Sequence, residues 1–123
     1  MLKVHARKLG NVAMLCLQGR MVRGETAALR SAVDSQSGVS AVLLDLGRVS
    51  TIDAGGLSVM LELRELIQAK GIEFKLINVT KLVRRILEII RLDSVFEITS
   101  GAEVVSVAML GRPKSVPDFA ACA

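Results

Sequence analysis

The stretch richest in chemically capable side chains is Asp45-Leu46-Gly47-Arg48-Val49-Ser50-Thr51-Ile52-Asp53-Ala54-Gly55-Gly56-Leu57. It brings together carboxylates, hydroxyls and glycines. Asp45 and Asp53 would serve acid–base chemistry only if the fold carried both carboxylates to one substrate. Asp45 closes an apolar run, so it is expected at a strand end, hydrogen-bonded to backbone. Asp53 stands directly before an apolar-periodic segment, where its carboxylate suits an N-cap. A helix opening there would present free N–H groups and the positive end of the helix dipole. That favours an anion, and nucleotide or small-anion binding at the Asp53–Leu57 turn is one reading. The turn contains no Lys. The plainer reading is a tight strand-to-helix turn that needs glycine.

Other chemistry is sparse. His5 is the only histidine, with no Ser or Cys that can be placed beside it as a nucleophile. No GxSxG, HExxH, CxxC or P-loop string occurs. Cys16 and Cys122 make no metal motif and read as one buried thiol and one tail thiol. No catalytic residue, metal site or cofactor is therefore expected.

Residues 45–57 need elements to hold them. Leu2 to Leu9 and Val12 to Leu17, separated by the Gly10-Asn11 turn signal, predict an opening antiparallel hairpin. Between Gly24 and Ser35 the period changes: Ala28, Leu29, Ala32 and Val33 recur at helical spacing. Val39 to Leu46 is nearly continuous in apolar residues, as befits a central strand covered on both faces. A helix from about Leu57 to Lys70 ends at Gly71, a residue suited to the C-terminal cap. Ile72 to Val79 reads as a strand. Thr80 caps a third helix with Leu82, Val83, Ile86, Ile89 and Ile90 turned inward. Helices are thus expected near 24–35, 56–70 and 80–91, and strands near 12–17, 40–46 and 72–78. Val95 to Ile98 reads as a short strand and Ala102 to Leu110 as a last helix. Residues 111–123 carry both prolines and no period, and read as a loose tail. The alternation means a single α/β domain over residues 1–110. Its sheet is mixed and mostly parallel, of four or five strands with packed helices, and the first strand is antiparallel.

Composition removes several classes of function. The 123 residues suit one domain, and 51% apolar content excludes disorder. Three Phe with no Trp or Tyr argue against the stacking platforms of single-strand nucleic-acid binders. The formal charge of +4 is dispersed among acidic residues, its densest part being Lys81, Arg84 and Arg85. No apolar run approaches the ~18–20 residues of a membrane span. Lys3, Arg7 and Lys8 precede an apolar stretch, but Gln18 cuts it short. A cytoplasmic protein with no nucleic-acid partner and no membrane insertion is expected.

At this point a family resemblance emerges. DLGRVSTIDAGGLSVMLELRELIQAKG resembles the STAS-domain signature: a strand ending in D-L, then V, two residues, D-S-S/T-G-L, and an apolar helix ending in G. FKLINVTKLVRRILEIIRLDSVFEI and LQGRMVRGETAALRSAV are similar to the family's downstream and upstream elements. The resemblance runs from about residue 3 to 110 and implies the STAS fold. It further implies an anti-sigma factor antagonist, a non-enzymatic module in sigma-factor regulation whose partner is an anti-sigma factor that is also a serine kinase. In such modules the kinase phosphorylates the second hydroxyl residue of the motif, and the partner is released. Matched position by position, the motif Asp is Asp53, its first Ser is Ala54, the phosphoacceptor is Gly55 and the Gly is Gly56. Gly55 has no hydroxyl, so this sequence departs from the family at the residue that defines the switch. The implied partner surface comprises Thr51, Asp53, Ala54, Gly55, Gly56, Ser58, Glu62 and Glu65, the loop from Arg48 to Thr51, and Lys81 and Arg84 on the next helix. Ser58 and Thr51 are the nearest hydroxyls. A side chain at Gly55 is expected to fold with little harm if the backbone there is helical or extended. A STAS subunit of a membrane lipid-transport ABC complex resembles the motif too, and a homodimer is left open.

Overall fold

A computed structural model describes residues 2–99. Five strands run as β1 (Lys3–Leu9), β2 (Val12–Met21), β3 (Ala41–Ile52), β4 (Glu73–Ile77) and β5 (Glu97–Thr99). Three helices lie between them: α1 (Ala27–Asp34), α2 (Ala54–Ala69) and α3 (Lys81–Ile89). The sheet order is β1-β2-β3-β4-β5. β1 and β2 pair antiparallel, and all later pairs are parallel. The expected hairpin, mixed sheet and three helices are therefore present in the expected order. The last helix expected over Ala102 to Leu110, and the tail, lie outside the described residues.

Each parallel pair of neighbouring strands is joined by one helix. Crossovers of this kind are right-handed. Repeated in one direction across the sheet, they place all three helices on the same face. The core confirms that placement. Leu29 and Val33 of α1, Met60, Leu63 and Ile67 of α2, and Val83 and Leu87 of α3 join Leu15, Leu44, Leu46, Phe74 and Leu76 in one buried cluster. A smaller buried cluster of Val12, Met14, Cys16, Ala41, Leu43 and Ile77 occupies the opposite face. This explains the unbroken run from Ala41 to Leu46, since consecutive strand residues point to opposite faces and both faces here are apolar. Cys16 is buried on this face, as expected, and Cys122 lies outside the described residues.

Three boundaries differ from the sequence expectation, each for a local reason. The first helix begins at Ala27, not near Gly24, because Gly24 takes a left-handed φ of 84° in the turn before it. The third ends at Ile89, and Arg91 takes a left-handed φ of 60° just after it. The largest difference concerns residues 48–51. They are not a loop: β3 continues to Ile52 and pairs with an equally extended β2, Gln18 opposite Arg48 and Met21 opposite Ile52. Register shifts at Cys16/Gln18 and Gly19/Arg20 break the regular alternation there, so Gln18, Gly19 and Arg20 read as strand termination in sequence.

Leu44 is fully buried at the centre of the helix-covered face. Leu44→Ala should destabilise the domain by about 2–5 kcal/mol through lost transfer energy and a residual cavity. Urea denaturation followed by circular dichroism checks this, and an unchanged midpoint would remove Leu44 from the core.

Candidate functional site at the N-terminus of the second helix

β3 delivers the chain to Asp53, and α2 starts one residue later. Asp53 has an extended backbone, and its Oδ1 accepts the N–H of Gly56 at 2.8 Å. The sequence expectation of an N-cap is thus met. The same carboxylate also reaches across to the segment following β2. The backbone N–H of Arg23 donates to both of its oxygens, at 3.1 and 3.2 Å. The N–H of Asp53 in turn donates to the carbonyl of Met21 at 3.3 Å. One side chain therefore clips the end of β2 to the start of α2. Donation from Gly56, then from Arg23, holds the Asp53 carboxyl below the usual carboxylate range. Because that carboxylate already fills the helix N-terminus with negative charge, a second anion would meet repulsion there. This weighs against nucleotide or phosphate binding at the turn.

The two glycines allow this approach. A Cβ on Gly56 would run into the carbonyl oxygen of Met21 and lie 2.8 Å from its carbonyl carbon. A Cβ on Gly55 would lie 2.5 Å from Cβ and 3.0 Å from Cα of Arg23. Neither glycine has the left-handed backbone that would itself require glycine. Their need is space. The expectation that a side chain at Gly55 folds with little harm is therefore corrected: the backbone permits it, but Arg23 stands in the way.

Asp45 does other work. It is buried, and its Oδ1 accepts the N–H of Gly47 at 2.9 Å while its Oδ2 accepts from Asn78 Nδ2 at 2.9 Å. The backbone bond was expected; the strand-end placement was not met, since β3 runs on past Asp45. The Asn78 bond ties β3 to the residue just after β4. The two aspartates hold separate partners and form no acid–base pair.

The other expected surface residues are spread over two helices. Asp53, Ala54 and Ser58 are exposed at the opening of α2, with Gly55 half-buried. Glu62 and Glu65 follow Ser58 at i+4 and i+7, on the same side and also exposed. Glu62 is already ion-paired with Arg30 of α1. Gly56 is buried and offers no contact surface, and Thr51 is half-buried within β3. Lys81 and Arg84 are exposed at the start of α3. α2 and α3 both begin beyond the C-terminal ends of their strands, so these openings share one end of the sheet. Met21 and Arg23 escaped the sequence reading. The Gly55-Gly56 pair was the available signal, because paired glycines without a left-handed turn mark close backbone approach. Among the described residues no group of three or more His, Cys, Asp or Glu is placed to hold a metal, and no helix is long and apolar enough to cross a membrane.

A mostly parallel α/β sheet with its helices on one face, and a glycine-opened helix clipped by an aspartate, defines a small α/β module. Comparison with known proteins makes this specific. The chain belongs to the STAS domain family, whose model matches residues 3–104. No curated protein matches it. Among solved structures, it is similar to an anti-sigma factor antagonist from Mycobacterium paratuberculosis, with TM-score 0.70, 19% identity, and coverage of 93% of this chain and 96% of that one. It is similar to the Bacillus cell fate determinant SpoIIAA in its phosphorylated form, with TM-score 0.65, 15% identity, and coverage of 85% and 98%. A sulfate transporter family protein from Wolinella succinogenes has TM-score 0.70, 19% identity, and coverage of 82% and 87%. At these identities the likeness is one of fold.

Two predictions follow from the clip. Asp53 has a depressed carboxyl pKa in the folded state. Its stabilising contribution is thus present above the unfolded aspartate value of about 3.9 and is lost as pH falls through the lower folded value. Asp53→Asn keeps a cap but removes the charge. Thermal melts from pH 7 to pH 2 should show the variant less stable at neutral pH and converging on the wild type in acid; a constant gap would contradict the linkage. Separately, Gly56→Ala should cost about 1–3 kcal/mol or more, since the strained neighbour is backbone. A denaturant midpoint equal to wild type would show that the approach is looser than described.

Proposed function

We propose that this STAS domain is a protein-binding module of the anti-sigma factor antagonist type that works without phosphorylation at the motif. Its partner is an anti-sigma factor of the serine-kinase kind, met in the cytoplasm on the face around the α2 opening. The observation that carries this reading is Gly55. It occupies the position matched to the phosphoacceptor, has no hydroxyl, and has Arg23 packed where a side chain would go. The exposed Ala54 and Ser58 beside it, with Glu65 further along, offer a continuous contact surface.

The mechanism rests on what is missing. A phosphate would bring roughly −1.5 to −2 charges to this surface, enough to expel a partner by repulsion and bulk. Gly55 accepts no phosphate, so the face stays permissive in the presence of ATP. Release is then governed by the partner's own state or by competition. The fold similarity to anti-sigma factor antagonists supports the class of partner and a binding role.

The test is incubation of the protein with a serine-kinase anti-sigma factor and Mg-ATP, read by intact mass and by calorimetric affinity. The expected outcome is no added phosphate and the same affinity with and without ATP. Stoichiometric phosphate on Ser58 or Thr51 would overturn the reading by moving the switch to a neighbouring hydroxyl. Because Gly55→Asp and Gly55→Ser must first displace Arg23, the exposed Ser58 is the better probe of the surface. Ser58→Arg should fold normally and weaken partner binding about tenfold or more, the loss typical of one blocked anchor. Unchanged affinity would place the interface elsewhere.

A further inference from the structure

The sequence reading turned Leu82, Ile86, Ile89 and Ile90 inward. Only Ile86 is even half-buried. Leu82 is 54% exposed, Ile89 71% and Ile90 44%, and α3 is anchored to the core by the buried Val83 and Leu87 with Ile86 packed beside them. At about 100° per residue, Leu82, Ile86, Ile89 and Ile90 fall within one arc of roughly 100° on the helix. They form an apolar stripe beside the anchoring face. Of the exposed charges of α3, Arg85 lies on the flank of the stripe, with Lys81 and Glu88 beyond it; Arg84 falls on the other side of the anchoring face. Three of the four aliphatic side chains are thus exposed, Ile89 most of all.

We infer that this stripe is a second docking surface, for an acidic amphipathic helix of a partner protein. Apolar side chains of the partner would cover Leu82, Ile89 and Ile90, and its acidic flank would meet Arg85, with Lys81 beyond it, giving register and orientation by charge complementarity. Two other occupants fit less well. A second copy of this chain would set the same cations against each other across an α3–α3 contact. An anionic bilayer laid on the helix layer would meet the exposed Glu65 of α2, and Glu62 with it, in that same layer. Leu82, Arg85, Ile89 and Ile90 are not among the residues assigned to the α2 opening, and the inference does not depend on the function proposed for it.

The test uses the full-length protein and two synthetic helical peptides, both with Leu at i, i+3, i+4 and i+7. One carries Glu at its remaining positions and the other Lys. Fluorescence anisotropy should show binding of the Glu peptide only, weakening as salt is raised. Ile89→Asp and Arg85→Glu should each lose about tenfold or more, with melting temperature unchanged because both side chains are exposed. Leu66→Asp, at an exposed apolar position of α2 outside the stripe, should bind like wild type. Equal binding of both peptides, or no effect of Ile89→Asp, would overturn the proposal. So would sedimentation of the protein with phosphatidylglycerol–phosphatidylcholine vesicles in place of peptide binding. Concentration-dependent dimerisation abolished by Ile89→Asp would instead assign the stripe to a second copy and likewise overturn it.

Discussion

The architecture around the functional end depends on one close approach, that of the first turn of α2 to the end of β2. Met21 and Arg23 sit against Gly56 and Gly55 at distances no other residue type permits without movement. Asp53 secures the approach with hydrogen bonds in two directions, to Gly56 within its own helix and to Arg23 across the gap. Both β2 and β3 must extend beyond the point where their apolar runs stop for this contact to form. Their bulged pairing through Met21 and Ile52 supplies that extension. The polar residues there keep strand geometry because the neighbouring strand takes their backbone groups, not because their side chains favour it.

The clip has a functional consequence. A helix N-terminus with free N–H groups is open to an anionic ligand. Here the cap is shared with a second backbone segment, and the position matched to a phosphoacceptor is a glycine under Arg23. A serine at that position would demand rearrangement of the β2–α1 connection as well as a hydroxyl. The packing at Gly55 thus leaves no room for a side chain unless Arg23 moves. Asp45 gives the sheet end similar rigidity, joining the β3 bulge at Gly47 to Asn78 after β4.

Much of this was legible in sequence, for identifiable reasons. The runs Val12 to Leu17 and Ala41 to Leu46 are apolar because both faces of the sheet are covered, and that signal is strong. Asp53, Thr80 and Gly71 announced helix ends through side-chain and backbone chemistry that acts within a few residues. What escaped depends on residues far apart in the chain. The strand status of residues 48–51 depends on pairing with Gln18 to Met21. The space available at Gly55 depends on Arg23. The outward stripe on α3 was read as core because helical period reveals that apolar residues share a face, not how much of that face the sheet can cover. Only the count of neighbouring strands decides that, and β5 at the sheet edge is three residues long.

The proposed interface and the clip beneath it meet in a single experiment. Backbone amide shifts of the ¹⁵N-labelled protein, followed while a serine-kinase anti-sigma factor is added with Mg-ATP present, report directly where the partner sits and whether it stays. The account predicts shifts concentrated at Arg23 and from Asp53 to Ser58, persisting for as long as ATP remains. Shifts confined to other parts of the sheet, or a spectrum that returns to that of the free protein as ATP is consumed, would contradict it.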